Sequence, residues 1–229
     1  MLPPQWLLID ADDTLWENNV LFERVIERFV RLVAHARMSA SEVREVLDEV
    51  ERTNLVTRGY GSDAFALNLQ DAYRSLAGPE PSPATLAELA ALAATIRDEP
   101  MTLIAGVSET LAHLAARHRL VLFTKGDARE QAGKLERSGL AGFFAETRVV
   151  REKDTATYRA TVAELGARPD QTWMVGNSPR SDINPALGAG LKAVWVPHPD
   201  TWRLEHEEVP HEAPGLLVLE SFAQLREHF

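Results

Sequence analysis

The sequence contains no cysteine. Disulfides, thiolate catalysis and cysteine zinc sites are therefore excluded, and the absence fits a reducing cytosol without requiring one. No apolar run approaches the roughly 18 residues expected of a membrane helix. The amino terminus, Met1-Leu2-Pro3-Pro4-Gln5, lacks the basic region and the longer apolar stretch of a secretory signal. A soluble cytoplasmic protein is expected. Positive charge is also scarce, for the formal net charge is −10. That balance argues against nucleic acid or an anionic membrane as partners, because both would be repelled. A small anionic substrate stays open, since a local cation can invert the field of a site.

The chain has 229 residues, 45 % of them apolar. That is enough for one large domain, or for a domain carrying a smaller insert, around a sizeable core. Short apolar runs at residues 6–9, 120–123, 172–175 and 193–196 have the length of buried strands, and residues 147–150 form a further candidate. Helical patterns at 108–117, 128–138, 156–165 and 183–187 lie between them. Strands alternating with helices imply an α/β fold: a Rossmann-like parallel sheet flanked by helices.

Residues 19–98 break the alternation with helix patterns alone. Residues 20–37 carry Val25, Ile26, Phe29, Val30 and Val33 at helical spacing. Ser39 or Ser41 is the expected cap of the next helix, and Ser62 or Asp63 of a third, after the loop Arg58-Gly59-Tyr60-Gly61. Gly78 to Pro83 forms a rigid turn, and residues 84–97 a last helix. The expected organisation is an α/β core of residues 1–15 and 101–229 with an inserted all-helical cap of residues 16–100. The tail, residues 197–215, is expected to be a charged surface loop before a short strand at 216–219 and a terminal helix. Its His198, His206 and His211 are irregularly spaced, as surface histidines rather than zinc ligands would be.

In parallel sheets ligands gather at the carboxyl ends of the strands. After the first run comes Asp10-Ala11-Asp12-Asp13-Thr14-Leu15. Three acids in four residues repel one another unless a cation relieves them, and Mg²⁺ takes carboxylate and carbonyl oxygens. Asp10 and Asp12 can also divide the work of nucleophile and proton carrier. After the second run, Thr124-Lys125-Gly126-Asp127 offers a hydroxyl, a cation and a permissive backbone for phosphate oxygens. Arg151-Glu152-Lys153-Asp154 offers an ammonium, and Gly176-Asn177-Ser178-Pro179-Arg180-Ser181-Asp182 an amide and a carboxylate suited to a hard metal. Singly, each has a plain structural reading: an acidic capping loop, a turn with a solvated lysine, a charged turn, a serine cap. In order, each at an expected strand end, they describe metal-assisted phosphoryl transfer.

These residues make the chain resemble the phosphatase branch of the haloacid dehalogenase superfamily. Asp10 to Leu15 resembles the family's first motif, Thr124 matches the second, Lys153 the third, and Gly176 to Asp182 the fourth. Ile104-Ala105-Gly106-Val107 resembles the usual entry into the core, with Ala105 in place of proline. The resemblance implies a Mg²⁺-dependent phosphatase of a small phosphorylated metabolite. Asp10 would form an aspartyl-phosphate, and Asp12 would act as acid, then base. Thr124 and Lys153 would hold the phosphoryl group, and Asp10, the Asp12 carbonyl, Asn177 and Asp182 the metal. Lys125 and Gly126, with Trp16 at the core exit and Arg58 in the cap, are the candidates for substrate binding. Asn177 departs from the family's usual aspartate, which implies weaker metal binding. A dehalogenase needs no leaving-group acid, so Asp12 argues against that alternative. A binding or regulatory protein on the same scaffold has Asn177 alone in its favour. Neither the substrate nor the oligomeric state is specified.

Overall fold

A computed structural model of the chain describes residues 4–33, 38–78 and 82–229. It divides into two compact units, Met1–Glu17 with Met101–Phe229, and Asn18–Pro100. Trp16 and Glu17 thus belong to the first unit.

In the first unit, β1 (Trp6–Ile9), β2 (Arg119–Lys125), β3 (Glu146–Val150), β4 (Thr172–Gly176), β5 (Lys192–Trp195) and β6 (Leu216–Val218) form one sheet. The order is β3-β2-β1-β4-β5-β6, and every pairing is parallel. After β3 the chain crosses to the other side of β1, so strand order reverses between β1 and β4. Such a reversal opens a crevice at the carboxyl ends of those two strands.

Strand residues alternate between faces. Leu7 and Ile9 join Leu120, Leu122, Val175 and Val194 in one apolar layer, closed by Leu111 and Leu114 of helix α5 (Val107–Ala115) and by Phe222 and Leu225 near the carboxyl terminus. Leu8, Val121, Phe123 and Met174 point the other way, onto Tyr158 and Val162. A sheet covered on both faces explains why its strands read as unbroken apolar runs.

The second unit packs four helices, α1 (Asn19–Val33), α2 (Ala40–Arg58), α3 (Ser62–Ala77) and α4 (Pro83–Asp98), around Phe29, Leu47, Leu69 and Leu89, all fully buried. Ser39 caps α2 and Glu42 completes a capping box. Ser82 caps α4, with Pro83 in its first turn. The cap expected of Ser62 or Asp63 is absent: Gly61 occupies that position without a side-chain bond, and Asp63, inside the first turn, pairs with Arg97 at 2.6 Å. The expected helix over 20–37 ends its described part at Val33. Residues 34–37, and residues 79–81 of the expected rigid turn, lie outside the described residues.

Between β2 and β6 the connecting helices are α6 (Ala128–Ser138), α7 (Thr155–Glu164) and α8 (Asn184–Gly188), and α9 (Leu225–His228) ends the chain. The helix expected over 183–187 begins instead with a wide turn, Pro179–Ile183, in which the amides of Asp182 and Ile183 both bond Ser178 O. The tail also differs from a surface loop. Thr201, Glu205 and Val209 are buried in it, because Glu205 follows Lys125 into the core unit and Val209 packs against Ile183 and Ala193. Among the described residues no helix is long and apolar enough to cross a membrane.

Leu8, fully buried on the central strand, anchors the layer beneath the crevice. Leu8→Ala is expected to destabilise the protein by about 2–5 kcal/mol, read as a lowered urea midpoint. An unchanged midpoint would contradict this packing.

Candidate active site

Strand β1 ends at Ile9, and the Asp10 amide still bonds Val175 O of β4 at 2.9 Å. The Asp10 side chain therefore leaves the sheet at the crevice. A tight loop follows, with the Leu15 amide on Ala11 O and the Asp13 amide on Trp16 O. Asp13 takes a positive φ of 59°, which aspartate tolerates better than most residues. The loop folds Trp16 back against Asp12, and the indole Nε1 donates to Asp12 Oδ1 at 2.7 Å. Trp16, expected to bind substrate or pack between domains, is fully buried and serves Asp12 instead.

Lys153 reaches the same point from beyond β3. Its ammonium forms a short ion pair with Asp10 and another with Asp182 at 2.8 Å. It also lies over the Phe123 ring, 5.5 Å from the centroid. Burial pulls the ammonium's pKa down, but Asp10 and Asp182 outweigh burial and leave it above its ordinary value. Asp182 is aimed by the amide of Ser178, which donates to its Oδ2 at 3.0 Å. Its carboxylate lies directly over Gly176, where any Cβ would collide with it. Glycine at the end of β4 is thus required by a close approach.

Asp10 feels two carboxylates and one ammonium. Burial, chiefly, raises its pKa to about 7; Lys153 opposes the shift, and Asp182 and Asp12 add to it. With both carboxylates ionised, the buried cluster of Asp10, Asp182 and Lys153 carries one negative charge more than positive. Each carboxylate oxygen accepts one hydrogen bond and keeps a further lone pair. This donor set fits a hard divalent cation such as Mg²⁺, which would remove the surplus. Thr14 Oγ1 lies 3.1 Å from Asp10 Oδ2 and 3.3 Å from Asn177 Oδ1. The Asn177 amide is oriented from the other side, for its Nδ2 donates to Thr201 at 2.9 Å. The Thr201 hydroxyl in turn donates to His198 O at 2.9 Å, so it is placed to accept from an amide at position 177.

Asp12, two residues on, has a different environment. Lys134 of α6 lies 2.9 Å and 3.0 Å from its two oxygens, and Gln131 donates to Oδ2 at 2.9 Å. Burial pushes this carboxyl up, but Lys134, Gln131 and Trp16 prevail and hold it below the ordinary carboxylate range. Two aspartates separated by one residue are thus driven in opposite directions, a pattern that divides acid–base roles.

Thr124 is buried in β2. Ile9 pairs with Leu122, so Thr124 stands one residue further out than the level of Asp10. Lys125, expected to hold phosphate oxygens, is instead committed to Glu205 at 2.6 Å and to Ser181 at 2.7 Å. Its charge is offset by a buried carboxylate, which Lys125 and Ser178 hold ionised against the cost of burial. Gly126, at a φ of 134°, makes room for Gln131: a Cβ there would lie 3.2 Å from Gln131 Nε2. Arg58 ends α2 rather than standing in a loop, and it pairs with Asp71 at 2.6 Å and bonds Asn68 at 3.0 Å.

His198 is half-buried, with Nε2 3.3 Å from Glu17 and Asp13 close by. The Asp200 amide donates to His198 Nδ1. The neutral ring therefore carries its proton on Nε2, which makes it a donor to carboxylate rather than a metal ligand. His206 and His211 are exposed, as expected. The residues that sequence reasoning missed are Lys134, Gln131, Glu205 and Thr201. A signal existed for two of them: Gln131 and Lys134, three apart, share the buried face of α6 with Leu135. Glu205 and Thr201 had none, because only the folded tail brings them in.

A family model of haloacid dehalogenase-like hydrolases matches residues 5–190. The chain belongs to this family. A haloacid dehalogenase-like hydrolase from Xanthomonas campestris superposes with a TM-score of 0.83 at 26 % identity, over 100 % of this chain and 95 % of that one. Human N-acylneuraminate-9-phosphatase is 33 % identical over 53 % of this chain and 54 % of its own length. Phosphoserine phosphatase of Thermus thermophilus is 34 % identical over 48 % of this chain and 43 % of its own. The chain spans about half the length of the curated relatives it matches.

The raised pKa of Asp10 has a consequence for the metal-free hydrolase. Between about pH 4, where an unfolded aspartate titrates, and about pH 7, the native state binds the extra proton. Stability therefore falls as pH rises through that window. In EDTA, Asp10→Asn is expected to flatten this fall in melting temperature and to be at least as stable as wild type above it. Equal slopes in both proteins would contradict the assignment.

Proposed function

We propose that this hydrolase is a magnesium-dependent phosphatase of a small phosphorylated metabolite, with Asp10 as nucleophile. The observation that carries the reading is the buried Asp10, bridged by Lys153 to Asp182, beside an Asp12 held by a separate set of donors. In the first half-reaction an Asp10 oxygen attacks phosphorus, the ester P–O bond breaks, and Asp12 protonates the departing oxygen. In the second, Asp12 takes a proton from water, the water oxygen bonds to phosphorus, and the Asp10–phosphorus bond breaks. Lys153 and Thr124 hold the phosphoryl oxygens.

Asp10, Asp182, the Asp12 carbonyl and the free lone pair of Asn177 Oδ1 would hold Mg²⁺. When bound, the ion neutralises phosphoryl charge that would otherwise meet the two carboxylates. A dehalogenase would have no use for an Asp12 so firmly positioned. The curated relatives named as phosphatases support the choice. In this reading residues 18–100 select the substrate.

Phosphate release from p-nitrophenyl phosphate and a panel of phosphorylated sugars, amino acids and nucleotides tests the proposal, run with Mg²⁺, with EDTA and with Asp10→Asn. The expected outcome is release that requires Mg²⁺ and is abolished in Asp10→Asn. Release that survives Asp10→Asn, or none from folded, magnesium-loaded wild type, would overturn it.

A further inference from the structure

The geometry points to Lys134, assisted by Gln131, as a positioning residue that keeps the Asp12 carboxylate set for the second half-reaction, the hydrolysis of phosphorylated Asp10. This role rests on the phosphatase reading. Lys134 is a lysine only 8 % exposed, on a helix that is otherwise a cover for the sheet. A buried ammonium is costly unless paired. Its partners are both oxygens of Asp12, with Glu130 further off at 3.6 Å.

Gln131, one turn earlier, is 5 % exposed and splits its amide between Asp12 Oδ2 and Lys125 O. Its Oε1 has no hydrogen-bond partner among the described residues. A buried acceptor left unpaired opposes folding, yet the amide is turned so that its N–H₂ serves Asp12. Trp16 supplies the remaining donor. The Asp12 carboxylate is thus gripped from three residues on two elements, which fixes the direction of its oxygens. A base must lie within hydrogen-bond reach of the proton it takes, and Lys134 holds Asp12 to one orientation for the water of the second half-reaction.

p-Nitrophenyl phosphate separates the two halves, because p-nitrophenolate departs without a proton donor. Rapid-quench measurements with Mg²⁺ would follow p-nitrophenol, free phosphate and phosphoryl label retained on the protein, for wild type, Lys134→Met and Lys134→Arg. Lys134→Met leaves Asp12 with two donors and a side chain already 25 % exposed, so water can replace the ammonium and the fold is expected to persist. The expected result is a near-stoichiometric burst of p-nitrophenol and retained label on Lys134→Met. Its kcat should fall about tenfold or more, with KM falling in parallel and kcat/KM nearly unchanged. Lys134→Arg should recover most of the wild-type kcat. Gln131→Met, which keeps the ammonium, should shift the same quantities in the same direction by less. A fall in kcat and kcat/KM together, without retained label in either variant, would overturn the positioning role and leave an ordinary structural ion pair. A wild type that yields neither p-nitrophenol nor label would overturn the phosphatase reading, and this role with it.

Discussion

The core unit depends on one buried ammonium. Lys153 lies between Asp10 and Asp182, and all three are almost completely withdrawn from water. Two carboxylates brought together without a cation would repel one another across a poorly screened distance. Removing one member of such a cluster exposes the fold to the full cost of the charge left behind. Lys153 therefore holds the segment after β3 against the ends of β1 and β4. Gly176 has to be glycine so that Asp182 can reach it. With both carboxylates ionised the cluster holds one surplus negative charge, a donor set that fits a divalent cation.

Two more lysines repeat the device at a smaller scale. Lys134 ties α6 to Asp12, and Lys125 ties the end of β2 to Ser181 and to Glu205 of the tail. A chain with a net charge of −10 commits three of its cations to buried or nearly buried partners around the crevice. Each ties a segment to the crevice by charge, beside its apolar packing. The tail shows this best: it looks like a charged loop, yet Glu205 is locked to Lys125 and Ser178, and Thr201 orients the amide of Asn177.

The sheet was legible because its strands are covered on both faces, and an unbroken apolar run of strand length, bounded by turn residues, fits little but a buried strand. Strand β1 and helix α6 fall at the residues expected of them. The candidate site was legible because polar residues at strand ends converge in a parallel sheet, and Asp10, Lys153 and Asp182, each expected after a strand, do meet in the structure. What escaped was the destination of individual side chains. Lys125 and Arg58 looked like cations open to a substrate, but a charge in a sequence does not reveal its partner, and theirs are Glu205 and Asp71. Trp16 was noticed for its size, whereas its indole N–H is what matters. The Ser62 cap failed because Gly61 starts the helix without help from a side chain.

The proposed phosphatase reaction stands or falls on Asp10 as the acceptor of the phosphoryl group. The most direct measurement is acid quench of magnesium-loaded protein during turnover, followed by proteolysis and mass spectrometry of the phosphorylated peptide. The expected result is an acyl phosphate on Asp10 that appears and decays at the rate of phosphate release. Phosphate released at full rate with no modified Asp10, or with the label on Asp12 or a hydroxyl residue, would contradict the account.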